Sequence, residues 1–236
     1  MSKPVRLDNV AHAALRIAAG HGAAFGDATN QMAIFLPEYE EAQRHYPILF
    51  LRQEDGALQS VIILGFDRDE NLFLEDGRWQ ADYVPAMARR GPFLIGRGED
   101  GDPVIHVDLD HPRIAGDGAP AGEALFLPQG GHAPALLRAM DALRALHVGH
   151  QSRAAASQLF DELALVAPVA IKVQIDDTHA INFDNHLGIT AERIAALDGA
   201  ALARLNEAGL LLPAVHAASS LANLGRLAAR KRARRG

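Results

Sequence analysis

The chain reads as an α+β protein, with a largely antiparallel sheet from N-terminal hairpins and a helical C-terminal half. Three observations predict this. Between residues 48 and 109, short apolar runs are separated by turns such as Glu54-Asp55-Gly56 and Glu75-Asp76-Gly77, which is hairpin chemistry. Residues 134–165 and 190–229 carry apolar side chains at helical spacing. Hairpins and helices come in blocks rather than in alternation, which argues against a parallel βαβ sheet.

Residues 1–30 are rich in Ala and Gly and weakly patterned, which predicts a loosely ordered lead-in or a short helix. Pro37 opens a helical run over 38–44; proline suits the first turn, and Glu38, Glu40 and Glu41 suit the positive end of a helix. After Pro47, Ile48-Leu49-Phe50-Leu51 and Val61-Ile62-Ile63-Leu64 read as the buried strands of a hairpin. Asn71-Leu72-Phe73-Leu74 is a third strand, and 83–90 has room for a turn or two of helix before Gly91-Pro92 stops it. Phe93-Leu94-Ile95 and 104–109 form another hairpin. There Ile105, Val107 and Leu109 alternate with His106, Asp108 and Asp110, one buried face and one wet.

Residues 112–134 are rich in Gly and Pro, with only Leu125-Phe126-Leu127 as a short strand, and mark a soft internal boundary. Two helices follow, over 134–147 and 152–165; in the first, Leu136, Met140, Leu143 and His147 keep helical spacing. Ile171, Val173 and Ile175 alternate with polar residues in a half-buried strand that 181–183 can pair with. Helices over 190–197, 198–208 and 214–229 close the chain, with Asp198 as an N-cap and Gly209 at a helix C-terminus. The expected organisation is a lead-in over 1–30, a single domain over 31–229 and a basic tail over 230–236.

At 236 residues and 49% hydrophobic content, the chain can build a core without disulfides or a structural metal. The absence of cysteine removes disulfides, thiolate nucleophiles, Cys-bound zinc and iron–sulfur clusters. The formal charge is −6, yet the last seven residues hold five of the 23 basic side chains and no acid. Such a tail suits an acidic partner. Beside an acidic body with few aromatics it reads as a solvated, frayed terminus, and nucleic acid is not the expected partner. The N-terminal apolar stretch is broken by His12 and Arg16, and no window reaches about 18 consecutive apolar residues. A cytoplasmic chain with no membrane span is expected.

Gly96-x-Gly98-x-x-Gly101 has dinucleotide-binding spacing, but Glu99, Asp100 and Asp102 would set negative charge against a pyrophosphate, and Pro103 leads into a strand. It reads as a hairpin turn. Asp67-Arg68-Asp69-Glu70-Asn71 opens like a calcium loop, yet Leu72 stands where the loop needs Gly and Arg78 where it needs Glu, so it reads as a surface turn. There is no P-loop and no Gly-x-Ser-x-Gly elbow. His106-x-Asp108 on a strand puts two ligands on one face, the start of a two-His, one-carboxylate iron site that His132, His179 or His186 would complete; the plainer alternative is the wet face of an edge hairpin. His147-x-x-His150 reads as a helix-end pair, and Asp176-Asp177-Thr178-His179 as a hairpin turn. The candidate binding residues are Asn71, Trp79, Tyr83, Arg89 and Arg90, because aromatic and arginine anchors dominate interface energetics. The alternative is that Trp79 and Tyr83 cap the small sheet.

The combination of motifs over 39–95 is the most informative part of the chain. It contains Tyr46-Pro47-Ile48-Leu49-Phe50, Gly65, Asn71-Leu72-Phe73, Gly77-Arg78-Trp79, Tyr83-Val84-Pro85-Ala86 and Arg89-Arg90-Gly91-Pro92-Phe93. This run resembles the SapC family of bacterial proteins, and Leu197-Asp198, Gly209-Leu210-Leu211 and Ser220-Leu221-Ala222-Asn223-Leu224 fit the family's closing helices. Gly91 stands where the family usually has Tyr, so no aromatic role transfers there. The resemblance implies a non-catalytic accessory or binding protein of a bacterial surface-layer or envelope-associated system, with no catalytic residue and no cofactor to carry over. Its expected partner is another protein, a peptide or a small ligand. Two alternatives stand beside it: a non-haem iron oxygenase using His106 and Asp108, and a peptide- or small-ligand-binding module that serves a partner enzyme.

Overall fold

A computed structural model describes residues 4–98, 100–114, 122–169, 172–174, 180–182 and 185–235. The fold is α+β, with antiparallel sheets and a helical C-terminal half. The chain divides into two compact units.

The first unit comprises Met1–Ala28, Leu74–Gln80 and Ala86–His147. Its main sheet is antiparallel, in the order Val5–Arg6, Pro103–Val107, Phe93–Arg97. The opening residues, expected as a loose lead-in or a short helix, therefore pair as strand: Val5 faces Val107, and Arg16–Ile17 pairs with Glu123–Ala124. The glycine motif is the expected hairpin turn, with Gly98 N–H donating to Asp102 O at 2.8 Å and Gly101 at φ +83°. Only Leu74–Glu75, paired with Arg78–Trp79, forms strand where 71–74 was expected to. Phe93, Val107, Leu125 and Phe126 from this unit pack with Ala135, Leu136, Ala139 and Leu143 of one helix face. That spacing of three or four is what an amphipathic helix needs to bury one side.

The second unit comprises Thr29–Phe73, Ala81–Pro85 and Val148–Gly236. Five antiparallel strands run in the order Ala167–Pro168, Leu187–Gly188, Ile48–Arg52, Leu58–Ile63, Gln31–Ala33. The expected hairpin of Ile48–Arg52 and Leu58–Ile63 forms its centre, with Leu49 opposite Val61. Phe50 packs edge-on against Phe160 with ring centroids 6.3 Å apart, and Leu58 N–H donates to Ser157 Oγ at 2.8 Å. The strand Lys172–Gln174 pairs with Ala180–Asn182 as expected, while the turn over 176–179 lies outside the described residues.

One helix, Pro134–Glu162, replaces the two expected over 134–147 and 152–165, so His147 and His150 sit inside a continuous helix rather than at an end. Gly149 does not break it, because the glycine is needed for close packing: a Cβ there would lie 2.2 Å from Phe35 Cβ. The C-terminal caps are as expected: Asp198 Oδ1 accepts from Ala201 N–H at 2.7 Å, and Gly209 has φ +68°. The final helix expected over 214–229 is instead two, Leu211–Ser220 and Asn223–Arg235. Buried polar side chains fasten the first to the sheet and the second to the turn that precedes it. Ser220 Oγ accepts from Ile48 N–H at 2.8 Å, and Asn223 Nδ2 donates to the carbonyls of Gln43 and Tyr46 at 2.7 and 3.1 Å.

The basic run at the C-terminus is not frayed. Lys231 is only 6% exposed and bonds Asp67 at 2.5 Å, with Glu70 as its second partner. Burial alone would lower the ammonium's pKa, but the hydrogen bonds with Asp67 and Glu70 carry it above its ordinary value. Arg230 lies over the Phe73 ring, 4.6 Å from its centroid. The acidic turn that resembles the start of a calcium loop is thus met by a lysine of the chain itself.

Candidate functional site

The five candidate binding residues fall in different units and are engaged in internal contacts. In the second unit, Asn71 is buried and its Oδ1 accepts from Phe73 N–H at 2.9 Å, an Asx turn that replaces strand pairing. Tyr83 donates its hydroxyl to Glu38 Oε1 at 2.8 Å, and its carbonyl accepts from the Tyr46 hydroxyl. In the first unit, Trp79 is buried and meets His21 edge-to-face at 5.4 Å. Arg89 reaches Asp141 at 3.3 Å, and Arg90 donates to Phe93 O at 2.9 Å. Burial lowers the pKa of Arg90.

His106 and Asp108 do not share a strand face, because the strand ends at Val107. The His106 ring lies against Gly96, with Nε2 2.7 Å from where a Cβ on that residue would be. Asp108 Oδ1 accepts from Asp110 N–H at 3.1 Å in the turn that follows. Among the described residues, no three His, Asp or Glu side chains converge as ligands for a metal ion.

A buried charge cluster in the first unit escaped the sequence reading. Arg113 and Asp27 are 7% and 4% exposed and meet at 2.9 Å. Arg113 also donates to Gly20 O at 2.5 Å and lies 4.4 Å over the Phe25 ring, while Asp27 Oδ2 accepts from Gly22 N–H at 2.9 Å. His21 Nδ1 is 3.3 Å from both members of the pair. Nearby, His111 Nδ1 accepts from Arg113 N–H at 3.1 Å; burial, then the Arg113 charge, lowers the His111 pKa. Each charged group here is paired and hydrogen-bonded, as burial requires. The arrangement holds the loop over 20–27 against residue 113.

The same unit contains an open cleft of about 340 Å³, and the local sequence explains it. Leu7 N–H donates to Ile105 O at 2.8 Å, extending the pairing of Val5–Arg6 by one rung. Asp8 then turns the chain away from the sheet, its Oδ1 accepting from the N–H groups of Val10 and Ala11, both at 2.8 Å. Those two backbone bonds, Ala11 first, hold the Asp8 carboxyl below its usual pKa. The space left beside the strand has an apolar floor of Leu7, Ile105, Phe126 and Leu136. Arg6, Asp8, Asn9 and His132 supply its polar groups. Val10, next to this edge in sequence, is 82% exposed. Neither Leu7 nor Asn9 belongs to a recognisable motif. The one signal available in the sequence was Asp8, a turn former two residues after a short apolar-basic pair.

No curated protein and no solved structure gives a significant match to the chain. The family model of SapC matches residues 7–227, nearly the whole length, and takes in both units just described. The chain belongs to the SapC family.

Proposed function

We propose that this SapC-family chain is a non-catalytic accessory or binding protein of a surface-layer or envelope-associated system, working in the cytoplasm. It takes a peptide or small ligand of that system in the cleft beside Leu7 and Ile105. Family membership supports the envelope link. The cleft is the observation that carries the binding role: its volume of about 340 Å³ lies in the small-molecule range, and Arg6, Asp8, Asn9 and His132 give an open, mainly polar surface around Leu7, Ile105, Phe126 and Leu136. In this reading Trp79, Arg89 and Arg90 support the first unit from within, and Arg6, Asn9 and His132 meet the ligand.

Recovery of the partner from native cells, with metal analysis of the same preparation, tests this. Asn9→Trp would fill the mouth of the cleft from an exposed position, and Arg6→Glu would reverse its cation. Both variants should keep the wild-type melting temperature and lose about tenfold or more in partner recovery, the cost of losing a central contact of about 1.4 kcal/mol. Full recovery by both variants would sink the cleft assignment. Stoichiometric iron that disappears in both His106→Ala and Asp108→Ala would replace this reading with the oxygenase.

A further inference from the structure

The helix Pro134–Glu162 buries Leu136, Ala139, Ala142 and Leu143 on one side. Its opposite side carries Leu137, Asp141, Arg144 and Val148, all exposed and spaced by four, three and four positions. At about 100° per residue they fall in a stripe about 60° wide. All four belong to one continuous helix, so the stripe follows from helix geometry alone. Its two apolar members, Leu137 and Val148, are 50% and 48% exposed. Arg144 has no hydrogen-bond or ion-pair partner among the described residues. The Asp141 side chain meets Arg89 at 3.3 Å and still keeps 65% of its surface exposed. The order of the four is self-complementary. Asp141 and Arg144 stand equally far from the midpoint between Ala142 and Leu143, and so do Leu137 and Val148.

We propose that this stripe is the interface of a two-fold symmetric homodimer, in which two copies of the helix pack antiparallel about the point between Ala142 and Leu143. Leu137 then meets Val148 of the second copy, and Asp141 meets Arg144 of the second copy, each contact occurring twice. Charge decides the orientation. Parallel packing would set Asp141 beside Asp141 and Arg144 beside Arg144, whereas antiparallel packing sets opposite charges together. Helices crossing at about 20° keep a row with this spacing in contact along its length. A lipid surface would have to bury the Asp141 carboxylate, and a uniformly acidic or basic partner would be repelled by one of the two charges. A second copy presents the matching order by symmetry. The contact is one helix wide, which sets it among the weak, concentration-dependent interfaces. It uses neither the cleft nor the ligand assigned there.

Sedimentation equilibrium of the full chain, from about 1 μM to about 1 mM, tests the proposal. The mass should rise with concentration from that of the 25.3 kDa chain toward twice that value. Arg144→Glu sets an acid against Asp141 of the second copy and should weaken dimerisation by about tenfold or more, since the change acts twice. Asp141→Arg sets two cations together and should weaken it similarly. Leu137→Ser should weaken it by about tenfold or more. Each variant should keep the wild-type circular dichroism spectrum, and Asn9→Trp should dimerise like the wild type. An equimolar mixture of the Arg144→Glu and Asp141→Arg chains restores both opposite-charge contacts, and it should associate at least about tenfold more tightly than either variant alone. A chain that stays monomeric to the highest concentration would overturn the proposal. So would dimerisation unchanged in Arg144→Glu, or a mixture that associates no better than its two components.

Discussion

Asp27 and Arg113 are 86 residues apart in the chain and belong to no motif, yet they form a buried ion pair in the first unit. Spacing rules read neighbours along an element, so a pair made by chain return carries no local signature. Removing one partner strands the other charge in the interior. Asp27→Ala should therefore cost about 3–5 kcal/mol, measured as a lower urea midpoint. Arg68→Ala, at a fully solvated position, should change the midpoint by less than about 0.5 kcal/mol. His111 sets an acid limit on the same region. Its folded-state pKa lies below the ordinary 6.5, so folding favours the neutral ring, whose Nδ1 accepts the Arg113 N–H. As pH falls below the unfolded value, the unfolded chain binds a proton that the folded chain resists, and stability declines. Melting temperature should drop as pH falls through 6.5 toward the lowered folded-state value, and His111→Asn should flatten that drop.

At the scale of elements, periodicity found the helices and the five- and six-residue strands, misplaced many ends, and missed short strands such as Gln31–Ala33, Ala167–Pro168 and Leu187–Gly188, which are too brief to carry a period. The helix Pro134–Glu162 was expected to break near Gly149, since glycine ordinarily weakens a helix interior. Phe35 reverses that expectation by packing where a Cβ would stand. Gly149→Ala should consequently destabilise, by about 1–3 kcal/mol, although the same change in an open helix stabilises by about 1 kcal/mol. A rise in melting temperature would show that Phe35 moves aside freely. The last helix gives a second case. A run of arginines beside a lysine looked solvated, yet Lys231 turns inward to Asp67 and Glu70. Lys231→Ala should cost about 1.5–3 kcal/mol by removing charge-assisted bonds. Because the Lys231 pKa is raised on folding, the stability it contributes is complete below the ordinary value of 10.5 and is lost as pH rises through the folded-state value. A urea midpoint that falls in this alkaline range in the wild type and stays flatter in Lys231→Ala would check that sign.

For the molecule as a whole, the proposed cytoplasmic role predicts that fractionation of native cells places the chain in the cytosol or loosely on the inner membrane face; recovery chiefly from the outer surface would overturn that location. The SapC run over 39–95 was legible from sequence because Pro, Gly and Trp mark its bends, and those markers survive without any knowledge of contacts. Class and family were likewise decided locally: alternation makes strands, three-four spacing makes helices, and blocks of each make α+β. The surfaces were not. Trp79 has the chemistry of an exposed anchor but is buried against His21, while Arg89 stays partly exposed in an ion pair with the exposed Asp141. The cleft arises because Asp8 binds two backbone N–H groups and draws the chain off Ile105, and the remaining walls come from Phe126 and Leu136, more than a hundred residues away. Residue type and period determine which face of an element is apolar; whether that face is buried, or left open beside an arginine, is decided only when distant segments compete for the same contacts.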